Sequence, residues 1–159
     1  MSNLPNNQLP PLSKVVPIHA DEFPRVVAVW EASVRATHHF LTEADIQFFK
    51  PLVLGFLSQT PDLFGVRDGV GEVIGFIGVA GSSIEMLFIH PDWRGQGVGR
   101  RLMTFAITTL GATLVDVNEQ NPQAIGFYLR LGFEVVSRSE RDGTGKPFPL
   151  LHMRLFRLR

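Results

Sequence analysis

Ser83–Leu110 reads SIEMLFIHPDWRGQGVGRRLMTFAITTL. A short apolar run ends at Ile89, a Pro-containing turn follows, and a glycine-rich loop led by Arg94 opens into a segment of helical periodicity. Val98, Leu102, Phe105, Ala106 and Leu110 form one apolar stripe that ends near Gly111. Glycine, lacking a Cβ, lets the chain curl so that successive N–H groups converge, and the unpaired donors of a helix N-terminus attract negative charge. A phosphate or pyrophosphate is expected at this loop.

On the N-terminal side, Asp62–Arg67 and Glu72–Val79 alternate as strands around Asp68-Gly69, a hairpin signal lengthened by Val70-Gly71. Ala80-Gly81-Ser82 then turns into the strand Ser83–Ile89. These three strands form an antiparallel meander, in which Gly75 and Gly78 mark a bulge or a close backbone approach. On the C-terminal side, a strand at Thr113–Val117 follows the helix. It should lie parallel to Ser83–Ile89 through a right-handed crossover. Asn121 and Pro122 open another helix that turns Ala124, Ile125, Tyr128, Leu129 and Leu131 inward and closes at Gly132. Two last strands, Phe133–Arg138 and Leu150–Phe156, flank the polar connection Ser139–Pro149.

Earlier in the chain, Met1–Ser13 is rich in Asn and Pro and reads as a mobile tail. Lys14–His19 is an edge strand limited by Pro17, and Asp21 caps a helix over Glu22–Arg35 with Val26, Trp30 and Val34 at helical spacing. Thr42 and Asp45 form a capping box for a second helix toward Ser58, which Pro51 should kink or divide. The expected fold is α/β, with a mixed, mostly antiparallel sheet and about four helices, in a single domain over residues 14–159.

Composition narrows the function. The 159 residues are 45% apolar, enough for a sizeable core, and 15 basic residues balance 15 acidic ones. That neutrality argues against a nucleic-acid or anionic-membrane partner. Absence of cysteine excludes disulfides and thiolate metal sites, and the adjacent His38 and His39 lack a third ligand at metal spacing. No apolar run approaches the roughly 20 residues of a membrane span and no signal peptide is evident, so the expected location is the cytoplasm.

Arg94-Gly95-Gln96-Gly97-Val98-Gly99 resembles the arginine-x-x-glycine-x-glycine signature of the GNAT superfamily, the acyl-CoA-dependent N-acyltransferases. Asn121, Ala124 and Tyr128, followed by Leu131-Gly132-Phe133, resemble its second signature, and the two are separated by one helix and one strand as in that family. The likeness spans about Asp62 to Phe156. The stretches ATHHFL, NEQN and GKPFPLL are most similar to its bacterial YjaB-like branch.

The resemblance implies that the strands Ser83–Ile89 and Thr113–Val117 splay apart in a V. Acetyl-CoA is then the co-substrate, with no metal. Leu87, Phe88 and Ile89 would bind pantetheine through their backbones, like a peptide adding to a sheet edge. Gln96, Gly97, Val98, Gly99 and Arg100 would cradle the pyrophosphate, with Arg94 positioning the loop and Asn118 and Asn121 holding the cofactor or capping the helix. Arg100, Arg101 and Arg130 are candidates for the 3′-phosphate. Tyr128, the only tyrosine, matches the family's acid beside the cofactor sulfur, and Glu85 and then Asp116 are candidate bases, since an ammonium must lose a proton before it attacks. The acceptor, a small-molecule or peptide amine, would meet His38, His39, Phe40 and the Ser139–Pro149 loop. Monomer and homodimer are both compatible.

Three other readings bear on the glycine loop. A dinucleotide fold would place Asp116 near the ribose, but Arg100 stands where that fingerprint needs its third glycine and a meander precedes the loop. A P-loop lacks its Gly-Lys-Ser/Thr. A non-catalytic acyl-CoA sensor would keep the loop yet have no need of Tyr128 and the carboxylates.

Overall fold

The computed structural model describes residues 11–159. Its strands are β1 (Val16–Pro17), β2 (Asp62–Arg67), β3 (Val73–Ala80), β4 (Ser83–Ile89), β5 (Leu114–Asn118), β6 (Phe133–Ser139) and β7 (Leu150–Leu155). Its helices are α1 (Phe23–Thr37), α2 (Glu43–Gln59), α3 (Val98–Leu110) and α4 (Pro122–Leu131). The strands make one seven-stranded sheet in the order β1-β2-β3-β4-β5-β7-β6, antiparallel at every junction except β4–β5.

Local chemistry explains most boundaries. Thr42 and Asp45 exchange capping-box bonds at 2.9 and 3.1 Å, as the sequence requires for α2. In the β2–β3 connection the Asp68 carboxylate accepts from the N–H groups of Val70 and Glu72, both at 3.0 Å, so this side chain organises the turn. Asn121 Oδ1 accepts from the Ala124 N–H at 3.2 Å and so caps α4.

Five expectations are corrected. Asp21 does not cap α1; Ala20–Glu22 form a 3₁₀ turn and the helix begins at Phe23, with Glu22 committed to a two-pronged ion pair with Arg67. Lys14–His19 narrows to a two-residue strand, Val16–Pro17, and the proline does not end the pairing, since the next N–H, of Ile18, still donates to Leu63 C=O at 3.0 Å. Pro51 does not divide α2, which runs from Glu43 to Gln59: the carbonyl of Gln47, which loses its usual donor to the proline, belongs to an exposed residue, and buried Ile46 and Leu57 hold the segments on either side. Leu129 is 46% exposed, since α4 buries a narrow stripe of Tyr128 and Leu131 and the next residue rotates outward. At the N-terminus, Leu12 packs on the core and Ser13 bonds to Arg67 through both main chain and hydroxyl, so these two residues belong to the folded body. The rest of the tail expected over Met1–Ser13, residues 1–10, lies outside the described residues.

Two cores sandwich the sheet. On one face Ile74, Ile77, Val79, Ile84, Val115, Val117 and Met153 pack with Leu102 and Met103 of α3 and with Tyr128 and Leu131 of α4. On the other, Phe76 and Met86 pack with Val26, Val29 and Trp30 of α1 and Leu57 of α2.

Strand β4 contributes to both cores because it is irregular. Gly78 pairs with Met86 but the next residue, Val79, pairs with Ile84, so Glu85 is the extra residue of a β-bulge. The bulge reverses the in–out parity and sends Ile84 to the α3 side and Met86 to the α1 side. It also coincides with the end of β4–β5 pairing, which comprises only Ser83↔Leu114 and Ile84↔Val115. Beyond that point β4 stays with β3 as far as Ile89↔Gly75, and β5 stays with β7 as far as Asn118↔Leu150. The two strands therefore diverge in a V.

Candidate active site

The V opens into a cleft of about 630 Å³ whose walls are β4 and β5, with α4 and the glycine loop at one end and the C-terminus of α1 at the other. His90 N–H donates to Ile74 C=O at 2.8 Å. Antiparallel alternation then commits the main chain of Phe88 to β3 and turns the N–H and C=O groups of Leu87 and Ile89 toward the gap. Phe88 is thus corrected as a backbone ligand, although its side chain still lines the cleft.

Gly97 is the N-cap of α3 in the left-handed conformation, φ 80°, and offers no side-chain cap. The N–H groups of the first turn, Val98, Gly99 and Arg100, are left without an intrahelical acceptor, which makes this helix end an anion site. Gly95, Gly97, Val98, Gly99 and Arg100 line the cleft and Gln96 does not; its side chain points to solvent. Arg94 reaches Gln123 of α4 at 3.4 Å and spans the loop. Of the three arginines considered for a terminal phosphate, Arg101 is outside the cleft and bonds to Ser13 C=O at 2.9 Å. Arg100 bonds to the main-chain oxygen of Arg159, and Arg130 borders the cleft.

Tyr128 is 6% exposed, clamped edge-on between Phe127 and Phe133. Its hydroxyl has no hydrogen-bond partner among the described residues, yet no fully enclosed polar side-chain atom there lacks one, so the hydroxyl opens into the cleft. Burial pushes the phenol well above its ordinary value of 10. It stays neutral and keeps its proton to donate.

Glu85 and Asp116 stand on opposite arms of the V, one residue past the last β4–β5 pair, and both line the cleft. Partial burial, and then the negative charge of Asp116, raise the Glu85 carboxyl above its usual range. Asn118 also lines the cleft, and Asn121 does so while capping α4.

At the far end His38 lines the cleft, His39 faces solvent, and Phe40 sits behind His38 as a support, 5.4 Å from its ring and 5.5 Å from Phe148 of the β6–β7 connection. Thr37 Oγ1 donates to Ser33 C=O at 2.8 Å, so toward His38 Nδ1, also 2.8 Å away, it can only accept. The proton of His38 is therefore on Nδ1 and Nε2 carries a lone pair. Burial first, then Arg94 and His39, hold this imidazole neutral, with a pKa lowered to about 4. Residues not anticipated from the sequence also line the site, among them Thr37, Trp93 and Phe127. Phe127 directly precedes Tyr128, and its ring covers Gly99, 3.4 Å from where a Cβ would stand.

These features fit coenzyme A. The open edges of Leu87 and Ile89 suit an amide-bearing chain, the uncapped start of α3 suits a pyrophosphate, and the cleft joins them. Among the described residues no cluster of three or more His, Asp or Glu is placed to hold a metal, and no helix is long and apolar enough to cross a membrane.

Comparison with known proteins agrees. Residues 60–135 match the acetyltransferase (GNAT) domain family. The peptidyl-lysine N-acetyltransferase YjaB of Salmonella typhimurium is 44% identical over 133 residues, 84% of this chain and 91% of that protein. The solution structure of apo YjaB from Escherichia coli superimposes with a TM-score of 0.83 at 39% identity, covering 91% of this chain and 97% of that one. The PaiA N-acetyltransferase of Thermoplasma acidophilum, solved with coenzyme A, shares the fold at TM-score 0.69 and 19% identity, covering 91% of this chain and 98% of that one. The chain belongs to the GNAT acetyltransferase family. It is an acetyl-CoA-dependent N-acetyltransferase, and the sensor reading falls away.

Proposed function

We propose that this enzyme acetylates the side-chain amine of peptidyl lysine by direct attack in a ternary complex, with Glu85 as base and Tyr128 as hydrogen-bond donor to the leaving group. The convergence in one cleft of a buried tyrosine hydroxyl without a partner among the described residues and two carboxylates on diverging strands carries this reading. The name of the 44% identical Salmonella relative supports lysine as the acceptor.

Acetyl-CoA supplies an acyl thioester. The gap-facing groups of Leu87 and Ile89 bind its pantetheine arm, and Gly95 and Gly97–Arg100 receive its pyrophosphate. Glu85, with its raised proton affinity, takes one proton from the acceptor ammonium; the nitrogen lone pair so exposed forms the amide bond as the carbon–sulfur bond breaks, and the second proton that the acylated nitrogen then sheds neutralises the departing thiolate. Tyr128 donates its O–H where negative charge then collects, and being buried it acts in a water-poor setting where such a bond counts most. His38 Nε2, an acceptor fixed by Thr37, meets an N–H of the incoming substrate.

Thiol release from acetyl-CoA with a lysine-containing peptide tests this, with Tyr128→Phe compared to wild type. The variant is expected to lose about 100-fold in kcat while coenzyme A affinity stays within about twofold. A kcat equal to wild type would remove Tyr128 from the mechanism. Turnover on free polyamines or peptide N-termini, but not on lysine side chains, would replace the acceptor.

A further inference from the structure

Asp116 is more tightly organised than a carboxylate on an open strand would otherwise be. It pairs in register with His152 of β7, whose Nδ1 lies 2.6 Å from Asp116 Oδ1. His152 Nε2 in turn lies 2.6 Å from Ser139 Oγ at the end of β6. A carboxylate has only lone pairs to offer, so His152 donates from Nδ1, and the Ser139 hydroxyl, which can both donate and accept, holds Nε2.

The three residue types are those of a nucleophilic triad, but their order in space is reversed. Asp116 lines the cleft, whereas His152 and Ser139 do not. A serine at the outer end has no substrate to attack. The chain of bonds must instead act on the carboxylate.

We propose that His152, itself fixed by Ser139, is a positioning residue that locks the Asp116 side chain with Oδ1 bound and Oδ2 left for the cleft. The Asp116 side chain is 57% exposed, and His152 is its only hydrogen-bond partner among the described residues. Without that bond the carboxylate rotates among solvent-facing rotamers. Displacements on the scale of 1 Å can cost as much as about 100-fold in rate. His152 thereby fixes the negative charge that faces Glu85 across the V, and with it the geometry in which an ammonium is received. This inference rests on the reading of Asp116 as part of the acyl-transfer site.

Substitutions that separate the two imidazole nitrogens test it, using kcat/KM for acetyl transfer to a lysine peptide and thermal unfolding of each variant. Asparagine places an amide N–H near the former Nδ1, and glutamine reaches only the former Nε2. His152→Ala and His152→Gln are expected to lose about tenfold, His152→Asn to recover most of that loss, and Ser139→Ala to lose a few-fold. Combining His152→Ala with Asp116→Asn should be no worse than Asp116→Asn alone. A wild-type rate for His152→Ala beside an impaired Asp116→Asn would overturn the positioning role. So would His152→Asn as slow as His152→Ala at the same melting temperature, or losses that simply add in the double variant. Asp116→Asn at the wild-type rate would instead overturn the underlying reading of Asp116, and the proposal with it. Should His152→Ala fail to fold, the contrast between His152→Asn and His152→Gln decides.

Discussion

Strand β4 has two edges with opposite fates. One is bonded to β3 from Ser83 to Ile89, interrupted only at Glu85; the other meets β5 at Ser83 and Ile84 and is then left open. Both edges carry the same kind of donors and acceptors, so chemistry does not distinguish them. What differs is whether the chain supplies the partner or leaves that place to a ligand. A sheet can store binding capacity as unmade ladder, provided the opposite edge and the packed faces hold the strand in shape.

Proline scanning would break this contrast most sharply, because each residue points its N–H to one edge only. Phe88→Pro removes a donor to β3 inside the sheet together with a packed ring and should cost about 3 kcal/mol or more, read as a collapse of the thermal transition. Leu87→Pro removes a donor to the gap. It should lose about 1–2 kcal/mol through its trimmed, half-buried side chain and weaken coenzyme A about tenfold, by calorimetry. Equal loss of stability in the two variants would show that the edges are not distinct.

A smaller effect is expected where the paired edge meets the glycine loop. A Cβ on Gly75 would stand 2.8 Å from Ile89 Cδ1 and 2.9 Å from Val98 Cγ1. Gly75→Ala should therefore cost about 1–3 kcal/mol in urea unfolding and, if Ile89 and Val98 hold the cofactor as proposed, also weaken its binding. Unchanged affinity would mean that the strand tip and the loop move independently.

The mildest test sharpens the open edge through its charge. A base whose carboxyl is raised keeps its proton to higher pH, so kcat/KM should fall as pH drops through a value above the ordinary glutamate value of 4.5. Asp116→Asn removes a negative neighbour, stabilises the Glu85 carboxylate and should carry the acid limb toward lower pH. A limb that stays in place would assign it to another group.

The same contrast separates what was legible in the sequence from what was not. The bounds of β2 and β4 and the start of α3 could be read from alternation and glycine, because those signals lie within a few residues. The insertion of β7 between β5 and β6 could not, since a long polar connection leaves the partner open. Tyr128 and Glu85 were legible as candidates by motif and strand position, but Phe88 was misassigned to the gap because ladder parity depends on a partner strand. Gly78 did mark the irregularity between β3 and β4, but which strand carries the extra residue, Glu85, depends on the pairing and was not legible. The His152–Ser139 bond joins residues 13 apart across another bulge, at Val136, and no local pattern announces it.

That extra residue in β4 has a consequence for how this fold tolerates length changes. Deleting Glu85 would let β3 and β4 zip without interruption, with Ile84 and Met86 as consecutive rungs facing opposite sides as regular pleating demands. Both cores would survive the deletion. Pairing with β5 would gain a reason to continue, the V would narrow, and the shorter chain would be a better sheet and a poorer enzyme. The site persists because one residue too many has been kept in a strand that could fold without it.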